Sequence, residues 1–338
     1  ADDGAARVFD PRALLAALGP DAYEEDEARE AEAYKAAFSG TATAKEGLNP
    51  LRTFGETDDG AGFLDGADGD ESRETFVGDF FPPFAKLARE AAGAGAGAGA
   101  ERKRARALAK EAAAMSSPGA LPLELGSSIF YRHDPDRLDL ARVVIVGPAD
   151  TPYEGGAFAF DVLCPAGYPD HPPMVNLATT GGGRARFNPN LYADGKVCLS
   201  LLGTWHGGAA EEKWDANRST LAQVFVSIQG LIFVDDPMFN EPGFDGLRGT
   251  KEGEEKSARY NAEIRLFTVR HAMIDALKKP RRGVAATVRT HFRLRRWSVM
   301  RAVARWCEEA RDPVIQRRMR EAAAELSHLL ARNAEEGL

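Results

Sequence analysis

One cysteine in a turn-rich stretch has the surroundings in this sequence that best suit covalent chemistry. Cys198 lies in the segment 187–205, FNPNLYADGKVCLSLLGTW, eight residues after Asn190. A thiol can carry an acyl group, and an asparagine amide can donate a hydrogen bond to the oxyanion that develops during acyl transfer. The same residues also fit a buried structural cysteine, because free cysteine is often buried. Taken alone, the stretch favours the structural interpretation.

The composition allows a packed core and argues against several kinds of site. The chain has 338 residues, of which 44% are hydrophobic and 28% charged, and its net charge of −8 gives no general argument for nucleic acid binding. Three cysteines without CxxC spacing argue against a disulfide framework and against a zinc site. We therefore expect a reducing compartment, no metal and no organic cofactor.

The chain carries no sign of targeting to a membrane. Its longest apolar stretch, Leu221–Val234, is too short for a membrane span and is interrupted by polar residues. The N-terminus is acidic where a signal peptide would be cationic, so we expect a cytoplasmic protein, with a nuclear location left open. The first residue is not Met, which leaves open a longer parent chain.

Shifts in composition predict three regions. Residues 1–97 are expected to be a largely disordered acidic segment, because Phe54–Asp79 holds nine acidic residues and one basic residue, and an alternating Gly/Ala linker closes the region. Residues 98–250 are expected to form the core domain, and residues 251–338 a helical C-terminal extension. Within the first region, the aromatic run 80–84 fits either a docking peptide or, preferably, a local contact onto the domain.

The core domain should begin with a helix and continue as a sheet. The helix predicted at Glu101–Met115 has a narrow apolar face, formed by Ala105, Leu108, Ala112 and Met115. Its basic residues lie on another face, which fits a solvated surface: Arg102, Arg106 and Lys110. Period-two patterns predict strands at Ser128–Arg132, Leu138–Val146, Ala157–Leu163 and around Val175. Because tight turns separate them without helices, we expect a four-stranded antiparallel meander and an α+β fold. A buried helix, Thr220–Val234, should follow with Ser219 as its N-cap.

The C-terminal extension contains a basic run. Lys278–Arg305 has ten basic residues and no acidic residue, which is the one local signal for binding nucleic acid or an acidic partner. The alternative is an ordinary helix, because Val284, Val288 and Phe292 occupy the positions that a packing face would use.

The order of helix, meander, cysteine-bearing loop and helix resembles the ubiquitin-conjugating enzymes over residues 101 to 245. Thr151–Phe158 resembles the hairpin between the family's second and third strands. Asn188-Pro189-Asn190 resembles its His-Pro-Asn motif, and Gly195–Leu199 its catalytic segment. The resemblance implies the UBC fold, and it reverses the preference for a purely structural Cys198.

Further segments resemble one branch of that family. Phe187–Tyr192, Thr204–Gly207 and Phe239–Gly243 are similar to the large conjugating enzymes of the giant inhibitor-of-apoptosis (BRUCE/Apollon-like) type, which combine conjugating and ligase activity. This similarity covers about two-thirds of the chain and leaves out the first ninety or so residues. The cysteine and histidine count cannot build that branch's zinc-binding repeat.

The resemblance implies roles for individual residues. Cys198 would accept ubiquitin as a thioester from the activating enzyme, which would dock on Arg102, Arg106 and Lys110. Asn190 would support the loop or the oxyanion, and Glu241 would orient the attacking lysine of a protein substrate. Ubiquitin, the activating enzyme and a protein substrate are thus the expected partners, with no membrane and no nucleic acid.

Two departures from the family pattern limit this assignment. Asn188 replaces the commoner His, so a structural hydrogen bond must be remade. Asp170 stands where many members carry a Phe that docks onto ligases, which puts partnership with a separate ubiquitin ligase in doubt. A catalytically silent interaction module is the alternative class, and the retention of Cys198 and Asn190 argues against it.

Overall fold

The structure is a computed structural model that describes residues 10, 20–39, 80–93, 98–115, 119–134, 136–205 and 212–335. The α-helices of this part of the chain are α1 (Pro20–Ser39), α2 (Pro82–Gly93), α3 (Ala98–Met115), α4 (Leu221–Ser227), α5 (Lys251–Phe267), α6 (Asp275–Lys278), α7 (Ala285–Leu294), α8 (Arg296–Glu309) and α9 (Pro313–Glu335). Its strands are β1 (Ile129–Asp134), β2 (Arg137–Val146), β3 (Ala157–Leu163) and β4 (Met174–Leu177). Short 3-10 helices lie at Ser200–Leu202, Pro237–Asn240 and Asp245–Leu247, and π-helical turns at Ile228–Ile232 and Thr268–Ile274. None of the described helices is long and apolar enough to cross a membrane.

The four strands form one antiparallel sheet in the order β1-β2-β3-β4, which confirms the predicted meander and the α+β class. Each strand pairs with the next along the chain, and Phe160 of β3 lies opposite Val143 of β2 and Leu177 of β4. Strand β3 has the bounds that the alternating pattern predicts, Ala157–Leu163. Alternate residues of a strand point to the same face, as Phe158 and Phe160 do here.

That face of the sheet carries the core of the domain. Phe158, Phe160 and Val162 are fully buried among residues of α3 and α4. The N-cap of α4 is Thr220, whose hydroxyl accepts from the Gln223 backbone N–H while the Gln223 side chain bonds back. The expectation that Ser219 caps this helix is therefore wrong by one residue.

Helix α3 reaches the core through fewer apolar residues than its pattern predicts. Leu108 and Met115 are buried, but Ala105 is exposed, and the carboxylate of Glu111 takes part in the buried face instead. It accepts from the Tyr168 hydroxyl at 2.9 Å and from the Leu221 backbone N–H at 3.2 Å. Burial raises the pKa of Glu111. This carboxyl therefore joins α3 to the start of α4.

The other face of the sheet is covered by the chain's own terminal segments. Phe130, Val144, Val146 and Ala157 pack in a second core with residues of α1 and of the helices from α5 onward. Val284, Val288 and Phe292 are buried in it, as the packing interpretation of the basic run expects. A strand buried on both faces must be apolar on both, which is why β3 reads as a nearly continuous apolar run.

Several charges of the basic run are neutralised within the chain. Arg281 pairs with Asp161 at 3.1 Å, Arg305 with Glu154 at 2.5 Å, and Arg301 lies 3.8 Å from Glu30. These pairs join the C-terminal helices to the sheet, the β2–β3 turn and α1. They favour the packing interpretation of Lys278–Arg305 over an acidic or nucleic acid partner.

A third apolar cluster seats the start of α2 on the sheet. Phe80 and Phe84 are buried against Leu140 and Leu163, so the aromatic run makes a local contact rather than standing free as a docking peptide. Beside this contact, Asp161 is fully buried and accepts from Arg142 at 2.8 Å. Its other oxygen accepts from the Phe81 backbone N–H at 2.9 Å. A charge can be buried in the sheet here because it is paired and hydrogen-bonded.

Helix α1 is the second ordered piece of the N-terminal region. Tyr34 and Phe38 are buried, and the Phe38 ring lies 4.7 Å from that of Phe130. The Glu- and Ala-rich composition of residues 21–38 suggests a helix without showing its partner surface, and the structure has that helix as α1. Apolar residues of α1 and α2 pack onto the second face of the sheet. The acidic run Phe54–Asp79 lies outside the described residues, and its disorder stays a prediction.

The buried side chain of His291, which α1 contacts through Tyr34, makes stability depend on pH. Gly155 O can only accept, so His291 donates from Nε2 at 3.0 Å, and Nδ1 accepts from the Tyr34 hydroxyl at 3.0 Å. Burial, with the nearby charge of Arg295, lowers the pKa of His291 from 6.5 to about 3. Below about pH 6.5 the unfolded chain binds a proton that the folded chain excludes, so stability falls with pH.

As the pH falls from about 6.5 toward 3, the free energy of unfolding should decrease by about 1.4 kcal/mol more per pH unit in wild type than in His291→Asn. Urea unfolding across this range measures the difference. The exposed His328 offers a matched control, and His328→Asn should retain the wild-type slope. Equal slopes for wild type and His291→Asn would contradict the assigned neutral ring.

Candidate active site

The cysteine loop is closed by two hydrogen bonds between Cys198 and Asn190. The Cys198 backbone N–H donates to Asn190 O at 2.9 Å, and the Asn190 side-chain Nδ2 donates to Cys198 O at 2.9 Å. The Asn190 Oδ1 atom is buried and accepts no hydrogen bond from the described residues. The two predicted residues are thus brought together, with the Asn190 amide bound to the backbone carbonyl of Cys198.

Asn188 anchors this loop to the rest of the domain. Its fully buried Nδ2 donates to Ile232 O at 2.8 Å and to the Tyr153 hydroxyl at 3.2 Å, while its Oδ1 accepts from the Asn190 backbone N–H at 2.8 Å. The Asn240 side chain adds a longer bond to the same Oδ1 at 3.4 Å. Four hydrogen bonds thus fix the Asn188 side chain between the loop and its neighbours.

A glycine allows the chain to turn before the cysteine. Gly195 has a φ of +91°, and a Cβ there would lie 2.4 Å from Asn176 Nδ2 and 2.6 Å from Leu177 O. Both the backbone conformation and the approach to β4 therefore require glycine. The backbone bridge between Leu191 and Val197 then sets the two arms of the loop side by side.

Thr204 holds the far end of the loop. Its hydroxyl donates to Val197 O at 2.7 Å and accepts from the Leu199 backbone N–H at 3.0 Å. Sequence reasoning missed this role, because Thr204 lies in an irregular segment without a periodic signal. The fixed carbonyls and amides on both sides of Cys198 leave its backbone little freedom.

The residues that follow Cys198 in the chain line a surface groove. Cys198 itself is 3% exposed and is not a lining residue; the groove has a volume of about 550 Å³, and its lining includes Leu199, Ser200, Leu201 and Leu231. Leu231 is 62% exposed, which is unusual for a leucine on a well-packed helical turn. Residues 206–211, next to this groove in the chain, are outside the described part.

The three cysteines differ in their surroundings. Cys164 and Cys307 are buried in the two cores, and burial raises the pKa of both thiols, that of Cys307 to about 12. A neutral, inert thiol suits such a position. Cys198 is also buried, but it belongs to none of the three apolar clusters that the described residues form, and Leu199 and Ser200 after it line a surface groove. Its surroundings therefore differ from those of the two core cysteines.

Glu241 is connected to the cysteine loop through an arginine. Its carboxylate lies 3.3 Å from Arg186, which also donates to Pro189 O at 2.9 Å and stacks 4.5 Å from the Tyr192 ring. Both partners of the ion pair are about half exposed. Sequence reasoning missed Arg186, since only the fold brings it between the two segments.

The remaining predicted residues lie on α3 and its neighbourhood. Arg102, Arg106 and Lys110 are exposed on the helix face away from Leu108. Asp170 is exposed, and both its oxygens accept from the Lys103 ammonium group at 2.6 Å. These residues belong to a surface separate from the bonds around Cys198, and the described residues hold no metal-ligand cluster.

The family model described as ubiquitin-conjugating enzyme matches residues 123–268. The chain contains a ubiquitin-conjugating enzyme domain. The matched range includes the whole meander, the Asn188–Thr204 loop, α4 and α5. The family assignment and the UBC fold predicted from the motifs are thus confirmed.

Relatives of this ubiquitin-conjugating enzyme domain occur in proteins of very different lengths, and this chain spans only part of each. The human "Dual E2 ubiquitin-conjugating enzyme/E3 ubiquitin-protein ligase BIRC6" is 47% identical over 68% of this chain, which spans only 5% of that relative's length. A "Probable ubiquitin-conjugating enzyme protein 17" of Caenorhabditis elegans is 44% identical over 69% of this chain and 32% of its own. A "Putative ubiquitin-conjugating enzyme E2 38" of Arabidopsis thaliana is 43% identical over 53% of each chain.

A solved structure adds a more distant likeness. The E2 domain of a Toxoplasma gondii ubiquitin conjugating enzyme is 22% identical, with 51% of this chain and 99% of that chain covered and a TM-score of 0.34. The fold assignment of the ubiquitin-conjugating enzyme domain rests instead on the family model and on the sheet topology. The similarity to BIRC6 agrees with the branch that the sequence motifs indicate.

The ubiquitin-conjugating enzyme domain should tolerate substitution at Gly203 far better than at Gly195. Both have positive φ, but a Cβ on Gly203 would meet nothing within 4 Å. Gly203→Ala should lower the free energy of unfolding by about 1 kcal/mol through backbone strain. Gly195→Ala should lower it by about 1–3 kcal/mol more, because the added Cβ overpacks against β4. Urea unfolding measures both, and equal losses would contradict the tight approach described at Gly195.

Proposed function

We propose that this chain is a ubiquitin-conjugating enzyme that carries ubiquitin on Cys198 and transfers it to a lysine of a protein substrate. The observation that carries the proposal is the pair of hydrogen bonds between Cys198 and Asn190 within a ubiquitin-conjugating enzyme domain. A loop bound on both sides of a thiol presents that thiol in one orientation, which is what acyl transfer requires.

The proposed reaction is a thioester exchange followed by aminolysis of the new thioester. The Cys198 thiol gives up its proton, its sulfur attacks the carbonyl carbon of the thioester that joins ubiquitin to the activating enzyme, and the activating enzyme's thiolate leaves and takes up a proton. A substrate lysine amine then attacks the new thioester, an amide bond forms, the Cys198 thiolate leaves, and the amine gives up a proton. Orientation of the reactants is worth roughly 7–11 kcal/mol in such reactions, so no metal or organic cofactor is required.

Residues around the loop receive distinct roles in this proposal. Asn190 is a positioning residue, since its amide already binds the Cys198 carbonyl. Glu241 orients the lysine in this proposal, and its ion pair with Arg186, which also binds Pro189 O, supports that role. The basic face of α3, with Arg102, Arg106 and Lys110, is the proposed dock for the activating enzyme.

Two observations bear on partnership with a separate ligase. Asp170 is bound to Lys103 and offers no apolar anchor at the position where many members of the family dock onto a ligase. A relative named as a dual conjugating enzyme and ligase is 47% identical. We therefore propose that this chain has ligase character of its own. We also propose that it works in a reducing compartment of the cytoplasm or nucleus, which keeps all three thiols free.

Incubation of the chain with activating enzyme, ATP and ubiquitin should give an adduct that a thiol reductant removes. Cys198→Ser should give a reductant-resistant ester or no adduct, whereas Cys164→Ser and Cys307→Ser, each conservative in size, should leave the labile adduct in place. A gel with and without reductant measures this. Absence of a labile adduct on wild type, or its survival in Cys198→Ser, overturns the proposal.

Asn190→Ala should slow discharge of ubiquitin from Cys198 to free lysine by about a hundredfold, because the loop loses the bond that fixes the cysteine's carbonyl. Single-turnover discharge of the preloaded adduct measures this rate. Asn217→Ala removes the same side chain at an exposed position and should leave discharge unchanged. A discharge rate in Asn190→Ala equal to the control contradicts the positioning role.

A further inference from the structure

One arginine joins the cysteine loop to the turn that carries Glu241. Arg186 lies two residues before Asn188, at the start of the loop. Its Nη2 atom donates to Pro189 O at 2.9 Å and lies 3.3 Å from Glu241 Oε2. A single guanidinium nitrogen therefore contacts both the loop and the residue that follows the 3-10 helix Pro237–Asn240.

The loop itself holds Arg186 in place. Besides its bond to Pro189 O, the guanidinium lies over the Tyr192 ring, with its carbon atom 4.5 Å from the ring centre. Such a stacked contact fixes the direction of a cationic side chain without neutralising its charge. Pro189 and Tyr192 both belong to the cysteine loop, so the position of the arginine follows from the loop and does not require Glu241.

The carboxylate of Glu241, by contrast, depends on Arg186. Among the described residues the arginine is its one side-chain partner, and the contact uses only Oε2. Both side chains are about half exposed, so Oε1 is open to an incoming amine. An exposed glutamate without such a partner samples several rotamers, and ordering it at the moment of reaction costs conformational entropy.

Helix α5 borders the same ion pair. Its Tyr260 packs against the first core. Burial raises the pKa of Tyr260 to about 12, and the tyrosine is close enough to the pair for the charge of Arg186 to lower that pKa and the charge of Glu241 to raise it. The pair is thus set between the cysteine loop and the C-terminal extension, with the exposed part of the carboxylate facing solvent.

We propose that Arg186 is a positioning residue for the lysine-transfer step, which holds the Glu241 carboxylate beside the cysteine loop before the lysine arrives. The inference rests on the proposed function. The amine hydrogen-bonds to the open Oε1 atom, and the prior ordering of the carboxylate lowers the entropic cost of the attack. Attack by water on the same thioester needs no oriented amine, so hydrolysis gains much less from the arginine.

The test compares two reactions of the full chain preloaded with ubiquitin on Cys198. One is discharge to free lysine, and the other is hydrolysis, in which water attacks the thioester carbonyl carbon and releases ubiquitin with a free carboxyl group and the Cys198 thiol. Arg186→Gln, which keeps an amide donor and loses the charge, should lower the ratio of lysine discharge to hydrolysis about tenfold. Arg186→Lys should restore most of the ratio, because one ammonium group can contact both partners.

Two further variants show whether the arginine acts through Glu241. Glu241→Gln should lower the ratio by a similar factor, and the double variant Arg186→Gln, Glu241→Gln should have a ratio no lower than either single variant. Arg184→Gln is the matched control, since Arg184 is an exposed arginine that binds Gly181 O in its own turn at 2.7 Å, and it should keep the wild-type ratio. A half-exposed ion pair contributes little to stability, so the variants should remain folded.

The outcomes separate this inference from the proposed function. An equal fall of lysine discharge and hydrolysis in Arg186→Gln shows general support of the loop and overturns the inference. Faster lysine discharge in Arg186→Gln, or losses that add in the double variant, also overturns it. In each of these cases the labile adduct on Cys198 still supports the proposed function, whereas absence of that adduct in wild type overturns both.

Discussion

The buried amide of Asn188 is the interaction on which the geometry of the site depends. It joins four parts of the molecule: the β2–β3 turn through Tyr153, the turn after α4 through Ile232, the 3-10 helix through Asn240, and the cysteine loop through Asn190. A buried polar group without its partners costs about 1–3 kcal/mol, so the four parts are held to one arrangement. This arrangement fixes the position of the loop that carries the Cys198 thiol.

The double-sided sheet provides the rigid frame behind this loop. One face packs on α3 and α4, and the other is closed by α1, α2 and the C-terminal helices. Burial on both faces removes freedom from β3, next to which β4 supports the turn at Gly195. The same C-terminal helices form one wall of a groove of about 950 Å³ beside α5.

Local patterns predicted what local interactions decide. Alternation gave the bounds of β3, and the motif around Cys198 identified the loop and its family, which the family model confirms over residues 123–268. The predicted N-cap of α4 was wrong by one residue, since the cap is Thr220 and not Ser219. Both side chains offer the same capping hydroxyl, and only the backbone conformation distinguishes them. The prediction that Ala105 is buried was wrong, because a narrow apolar face does not show which of its residues contact the core.

Contacts between distant parts of the chain were beyond the sequence. The bond from Tyr34 to His291 spans 257 residues, so neither the docking of α1 nor the neutral state of that histidine has a sequence signal. Arg186 is likewise unremarkable until Glu241 lies beside it. The basic run Lys278–Arg305 suggested a partner, but several of its charges meet carboxylates of this chain.

Hydrogen exchange of the Asn188→Ala variant tests the central claim most directly. The account predicts that backbone amides of residues 188–204, including that of Cys198, exchange much faster than in wild type while those of β2 and β3 stay protected. It also predicts that ubiquitin loading of Cys198 falls with that protection. Unchanged exchange in the loop, or a loss of protection spread evenly over the sheet, would contradict it.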